Sequence, residues 1–200
     1  MSATLYVTQF ADAPVLTGLT VALCGALGLA GCFRAAAAFG CMFVVLVICV
    51  VTAKGVVAEL PGLSEATGLR SPSGHVAGAV VLIGGPAMCA GRRHWILLAG
   101  MGAALIAITR VKLGVHTWPD VAAGGLIGFA ILAGAVALGL TRALTEVPNE
   151  VGGPLVGVLV AAAIFLNGWH PGISRAASRV ENDFPSWKDH PAAPDPPPHG

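Results

Sequence analysis

The chain has 200 residues, of which 56% are hydrophobic and only 10% charged, with a formal net charge of +1. A soluble domain of this size carries about 25% charged residues, so this composition excludes an ordinary soluble fold. The near-neutral balance, with no basic stripe, also argues against a nucleic-acid partner.

The few charges divide the chain. Residues 1–13 form a short leader, and uncharged stretches follow at 13–33, 35–53, 71–91, 94–109, 121–141 and 151–174. A membrane span takes roughly 20 apolar residues. Five stretches are long enough, and the fourth is slightly short and starts at an interfacial Trp95. The first lacks a basic leader and is too long for a signal peptide, so it counts as a retained helix. The expected fold is therefore an all-α integral membrane protein. About six transmembrane helices form one bundle, with the active site at one membrane face. Residues 1–174 form this domain. Residues 175–200 are a polar, Pro-rich tail expected to be disordered.

Gly and Ala recur inside the spans, as in Gly84-Gly85 and Gly124-Gly125-x-x-Gly128. Small residues let helix backbones approach where lipid supplies no hydrophobic drive. The five cysteines all lie in apolar runs without CxxC or Cys/His spacing, so they read as packing residues and not as metal ligands.

Two polar loops, 54–73 and 110–120, fall on the same side of the membrane. The opposite side carries Arg34, Arg92, Arg93 and Arg142. The positive-inside rule places the two polar loops outside, as expected for a multi-pass protein of the plasma (inner) membrane whose active site faces outward.

Chemistry concentrates in these loops. In Arg110-Val-Lys-Leu-Gly-Val-His116-Thr-Trp-Pro-Asp120, Pro119 suits the first turn of a helix, with Asp120 in that turn and His116 just ahead. A carboxylate there can fix one imidazole nitrogen and leave the other with an outward lone pair, the requirement for a nucleophilic histidine. Arg110 adds a fork that matches phosphate oxygens. The bland alternative is a helix cap beside an interfacial histidine.

In Arg70-Ser-Pro-Ser73-Gly74-His75, Ser73 is a natural N-cap and Gly74 admits a close anion. The helix start favours negative charge, and His75 stands where it could protonate a leaving alkoxide. Lys54 ends the second span, where snorkelling is its simplest explanation. His94, His170, His190 and His199 have no ordered partners in the sequence.

Together the three segments resemble the signature of the type 2 phosphatidic acid phosphatase family, which also includes bacterial lipid diphosphatases and vanadium haloperoxidases. That signature reads Lys-x6-Arg-Pro, Pro-Ser-Gly-His, and Ser-Arg-x5-His-x3-Asp. The second motif is intact as Pro72-Ser73-Gly74-His75. The third has Thr109 in the Ser position, then Arg110, His116 and Asp120 at the family spacing. The first departs: Lys54 is followed at the expected place by Pro61-Gly62 instead of Arg-Pro. The resemblance covers roughly residues 54–130.

The resemblance implies a metal-independent, cofactor-free hydrolase acting on a lipid phosphate or isoprenoid diphosphate. His116 would attack phosphorus to form a phosphohistidine, Asp120 would orient it, and His75 would protonate the departing lipid oxygen. Lys54, Arg70, Ser73, Gly74 and Arg110 would hold the phosphate, with Arg70 or Lys112 making good the missing arginine. Cationic side chains and helix N–H groups would stabilise the charge. The acids also form no cluster for a two-metal site. The other reading is a non-catalytic member that binds a lipid phosphate or scaffolds a complex, prompted by Pro61. A vanadate haloperoxidase suits six spans less well. A small transporter lacks the intramembrane acids that ion pathways use.

Overall fold

The computed structural model describes residues 13–89, 94–148, 150, 151 and 154. Within them the chain is helical, with no strand: α1 (Ala13–Leu29), α2 (Phe33–Glu59), α3 (Pro61–Thr67), α4 (Gly74–Cys89), α5 (Trp95–Lys112), α6 (Trp118–Ala137) and α7 (Leu140–Thr145). Two of these, α2 and α6, are long and apolar enough to cross a membrane, and Val15–Leu29 and Gly74–Met88 are shorter apolar helices. The proposed sixth span and the Pro-rich tail fall almost wholly outside the described residues.

The second span runs further than its charge pattern implies. Lys54 does not end it, because α2 continues to Glu59. Nothing between Gly55 and Glu59 breaks a helix. The stop comes at Leu60, whose φ of −120° and ψ of 73° lie outside the α region, as expected for the residue before a proline. Pro61 then opens α3 in its first turn, so the loop at 54–73 is mostly helix. Arg110 is likewise helical, lying in the last turn of α5.

Helix α4 is the hub, packing against α5, α6, α2, α1 and α7. Val76, Ala77, Ala79, Val80, Val81 and Leu82 are all buried, and a helix apolar all round belongs inside a bundle. Glycines set the spacing of its contacts. A Cβ at Gly84 would strike Leu132 of α6, one at Gly85 would strike Phe39 of α2, and one at Gly128 would strike Val80 and the Ala77 carbonyl. These contacts give the small-residue pattern its physical role. Large apolar side chains point outward instead, among them Val44, Val47, Ile48 and Val51 on α2 and Leu97, Met101 and Leu105 on α5.

The helices alternate in direction. The end of α2, the start of α4, the end of α5 and the start of α6 therefore gather at one end of the bundle. At the other end Arg34 lies 3.8 Å from Glu146, both well exposed. A cavity of about 300 Å³ there is lined by Cys32, Phe33, Arg34, Glu146 and Val147 and contains none of the site residues.

Candidate active site

The site is built from two chain reversals. At the end of α5 the N–H of Gly114 bonds the Val111 carbonyl (2.9 Å) and the N–H of Val115 bonds the Arg110 carbonyl (3.2 Å). This is a Schellman closure. It needs a left-handed residue, and Gly114 takes it with φ of 70°. The turn fixes the Arg110-to-His116 spacing, placing the guanidinium in the last helical turn and the imidazole just beyond it.

The second reversal starts α6. Thr117 is its N-cap: the Thr117 Oγ1 accepts the Asp120 N–H (3.4 Å), and Asp120 Oδ2 accepts the Thr117 N–H (2.9 Å). This reciprocal capping box satisfies two donors that a helix start otherwise leaves open. Thr117 was not among the residues singled out from the sequence, although the Thr-x-x-Asp spacing announces it.

Asp120 also reaches across to the segment that precedes α4. Its Oδ1 accepts the backbone N–H of Arg70 and of Ser71, both at 2.8 Å. Its own carbonyl accepts the Ser73 N–H at 2.9 Å. The Thr117 hydroxyl donates to the Gly68 carbonyl at 3.1 Å. Two residues of the α6 cap thus hold residues 68–73 along their length. Asp120 is 2% exposed, and its N–H donors offset the cost of burying a carboxylate.

The structure brings His116, His75 and Asp120 together. The rings of His75 and His116 lie 6.5 Å apart, edge to face, although they come from separate elements. His116 Nδ1 is 3.5 Å from Asp120 Oδ2. That separation gives electrostatic contact but not a closed hydrogen bond, and Nδ1 is buried without a hydrogen-bond partner. The imidazole pKa is lowered from 6.5 to about 4. Burial is the main cause and the Arg110 charge the next; His75 and Lys54 push the same way, and Asp120 opposes them. Arg110 and Lys54 therefore both act on His116, and the ring is neutral at pH 7.

The remaining residues divide. Lys54 and Arg70 have exposed side chains, and Arg110 is half-buried. Arg70 joins the site through its backbone N–H. Ser73 occupies the cap position of α4 but is wholly buried, and its hydroxyl has no hydrogen-bond partner, so it does not cap the helix as its position suggested. Gly74 opens α4, and a Cβ there would press on Val50 of α2 at 3.2 Å. Its small size thus serves packing as well as any approach by an anion. Among the described residues, no group of three or more His, Cys, Asp or Glu side chains is placed to hold a metal ion.

This end of the bundle thus holds a largely buried neutral histidine beside a carboxylate, a second histidine 6.5 Å away, and the charges of Arg110 and Lys54 acting on the first ring. Residues 54–144 match the family model of the PAP2 superfamily. The matched stretch, a little under half of the chain, is similar to that superfamily, whose members generally hydrolyse phosphate esters. Comparison with curated proteins and with solved structures found no match.

Proposed function

We propose that the protein is a multi-pass membrane phosphatase that hydrolyses a lipid phosphate or diphosphate monoester without a metal. The observation that carries this reading is the 6.5 Å approach of His75 to His116, with His116 held neutral beside cations. A neutral imidazole has the lone pair that a nucleophile needs. Its Nε2 would attack phosphorus as the phosphorus–oxygen bond to the lipid breaks, and His75 would pass a proton to the departing oxygen. Water would then cleave the phosphorus–nitrogen bond, releasing inorganic phosphate and restoring His116. Arg110, Lys54 and the first N–H groups of α4 supply positive potential for the phosphoryl oxygens. Arg70 and the Ser73 hydroxyl would add donors.

A membrane setting is supported by length and surface. Arg34 and Lys54 sit near opposite ends of α2, about 30 Å apart at 1.5 Å per residue, which is roughly the thickness of a bilayer's hydrocarbon core. The outward-facing valines and Ile48 lie between them. Trp118, 62% exposed beside the site, suits the headgroup boundary. We place the site on the outer side of the plasma membrane, on the arginine bias of the other face. The second reading, a non-catalytic member that binds a lipid phosphate, rests on Pro61 standing where the family motif has arginine.

The test is phosphate release by purified protein from a panel of lipid mono- and diphosphates, with EDTA present. Release is expected for the wild type and none for His116→Ala. His75→Ala should lose most activity on lipids and less on an activated aryl phosphate, whose leaving group needs no proton. Binding without release would favour the non-catalytic reading.

A further inference from the structure

We infer that Thr117 is a positioning residue for His116, acting through Asp120 and through the segment that precedes α4. The inference rests on the phosphatase reading for its kinetic consequence, and on geometry alone for its structural one. Asp120 Oδ1 is occupied by two backbone N–H groups, which leaves only Oδ2 to face the imidazole. That oxygen is in turn held by the Thr117 N–H at 2.9 Å. The Thr117 hydroxyl makes two further links: it accepts the Asp120 N–H and donates to the Gly68 carbonyl.

The hydroxyl therefore ties the carboxylate's own backbone to the segment that supplies the N–H donors for Oδ1. Without it, the helix start and the 68–73 segment can shift relative to each other, and the carboxylate must follow one or the other. The gap between Oδ2 and His116 Nδ1, 3.5 Å, leaves little tolerance. The pair is held by electrostatic contact at the outer edge of hydrogen-bond range, and a further shift of about 0.5 Å weakens that contact and takes it well beyond that range. Nδ1–H then loses the nearby negative charge that favours the proton on that nitrogen, and the imidazole is free to carry it on Nε2, the atom that must keep a lone pair to attack. Thr117 lies between the motif residues His116 and Asp120 and is not itself one of them.

The experiment uses full-length protein in detergent micelles with ¹⁵N-labelled histidine, reading the His116 tautomer by long-range ¹H–¹⁵N correlation beside steady-state turnover. The wild type is expected in a single tautomer, protonated at Nδ1. Thr117→Val should give a mixture of tautomers and lower kcat about tenfold, with KM within about twofold. Thr117→Ser, which keeps the hydroxyl, should restore both. Thr117→Gly serves if the valine variant fails to fold, because glycine is tolerated at an N-cap, and it should show the same mixed tautomer. A retained Nδ1–H tautomer with wild-type kcat in the valine or glycine variant overturns the inference. So does a lowered unfolding midpoint with unchanged tautomer, or failure of serine to rescue. If the wild type releases no phosphate, the phosphatase reading fails while the tautomer still decides the role of Thr117.

Discussion

The carbonyl oxygen of Ser73 occupies the space into which a side chain at Gly124 would project. The start of α4 and the first turns of α6 are therefore as close as backbones allow, at the level of the two histidines. Gly124→Ala must push the helices apart, and overpacking of this kind costs about 1–3 kcal/mol. We expect a lowered unfolding midpoint and at least a tenfold loss of turnover, since Ser73 and Asp120 lie across this contact. Gly134→Ala is the control, because a Cβ there meets nothing within 4 Å. Thermal unfolding and phosphate release on both variants decide the matter, and equal behaviour would count against the contact.

Protonation of His116 gives a second expectation. Its pKa is lowered to about 4 by burial first and by Arg110 next. Below 6.5 an unfolded chain takes up a proton here that the folded chain refuses until about pH 4. Stability should thus be full above pH 6.5 and fall as pH drops through that window. A histidine-resolved NMR titration should find the ring neutral at pH 6, and Arg110→Ala should move its pKa back toward 6.5. A wild-type midpoint near 6.5 would contradict the burial.

Asp120→Asn separates charge from shape. The amide keeps one acceptor oxygen, but its NH₂ must face either the Arg70 and Ser71 N–H pair or the Thr117 N–H, donor against donor. A buried donor left unmatched costs about 1–3 kcal/mol. The variant should lose stability by that order and turnover by much more, since the amide can also donate to His116 Nδ1 and impose the wrong tautomer. Denaturant unfolding and turnover measured together check this. Wild-type stability in the asparagine variant would rule out the clamp.

The geometry at Arg70 allows its two parts to be told apart. The backbone N–H is bound to Asp120 and survives Arg70→Lys, so any loss belongs to the guanidinium. If that group replaces the missing family arginine, lysine cannot copy its paired donors. Activity should then fall at least tenfold, about 1.4 kcal/mol of transition-state stabilisation, and Pro61→Arg should recover part of it in the double variant. Unchanged turnover in Arg70→Lys would leave the exposed side chain outside the reaction.

The sequence made the local chemistry readable and the long-range contacts unreadable. The spacing of Arg110, His116 and Asp120 is set by a helix end and a helix start only a few residues apart, so it could be inferred along the chain. The same holds for the even number of crossings that brings His75 to the same end. The charge at Lys54 suggests a helix end, whereas α2 stops only where Pro61 forbids it. The position of Ser73 suggests a cap, but its hydroxyl is buried and unpaired, and Asp120 holds the backbone beside it. The clamp from Asp120 to Arg70 and Ser71 joins residues about 50 positions apart and leaves no local pattern. Gly124 and Gly128 announced close packing, but only the structure names Ser73, Ala77 and Val80 as what they pack against.

That clamp also sets the order in which the site can be made. Synthesis runs from the N-terminus, so Arg70 and Ser71 leave the ribosome about 50 residues ahead of their carboxylate, roughly 2.5–10 s at ordinary elongation rates. During that interval the second histidine has not been joined to the first, and the segment before α4 has nothing to fix it. A nascent or truncated chain that stops short of α6 therefore carries the anion-attracting groups without an oriented nucleophile. The site is completed only when α6 docks against α4.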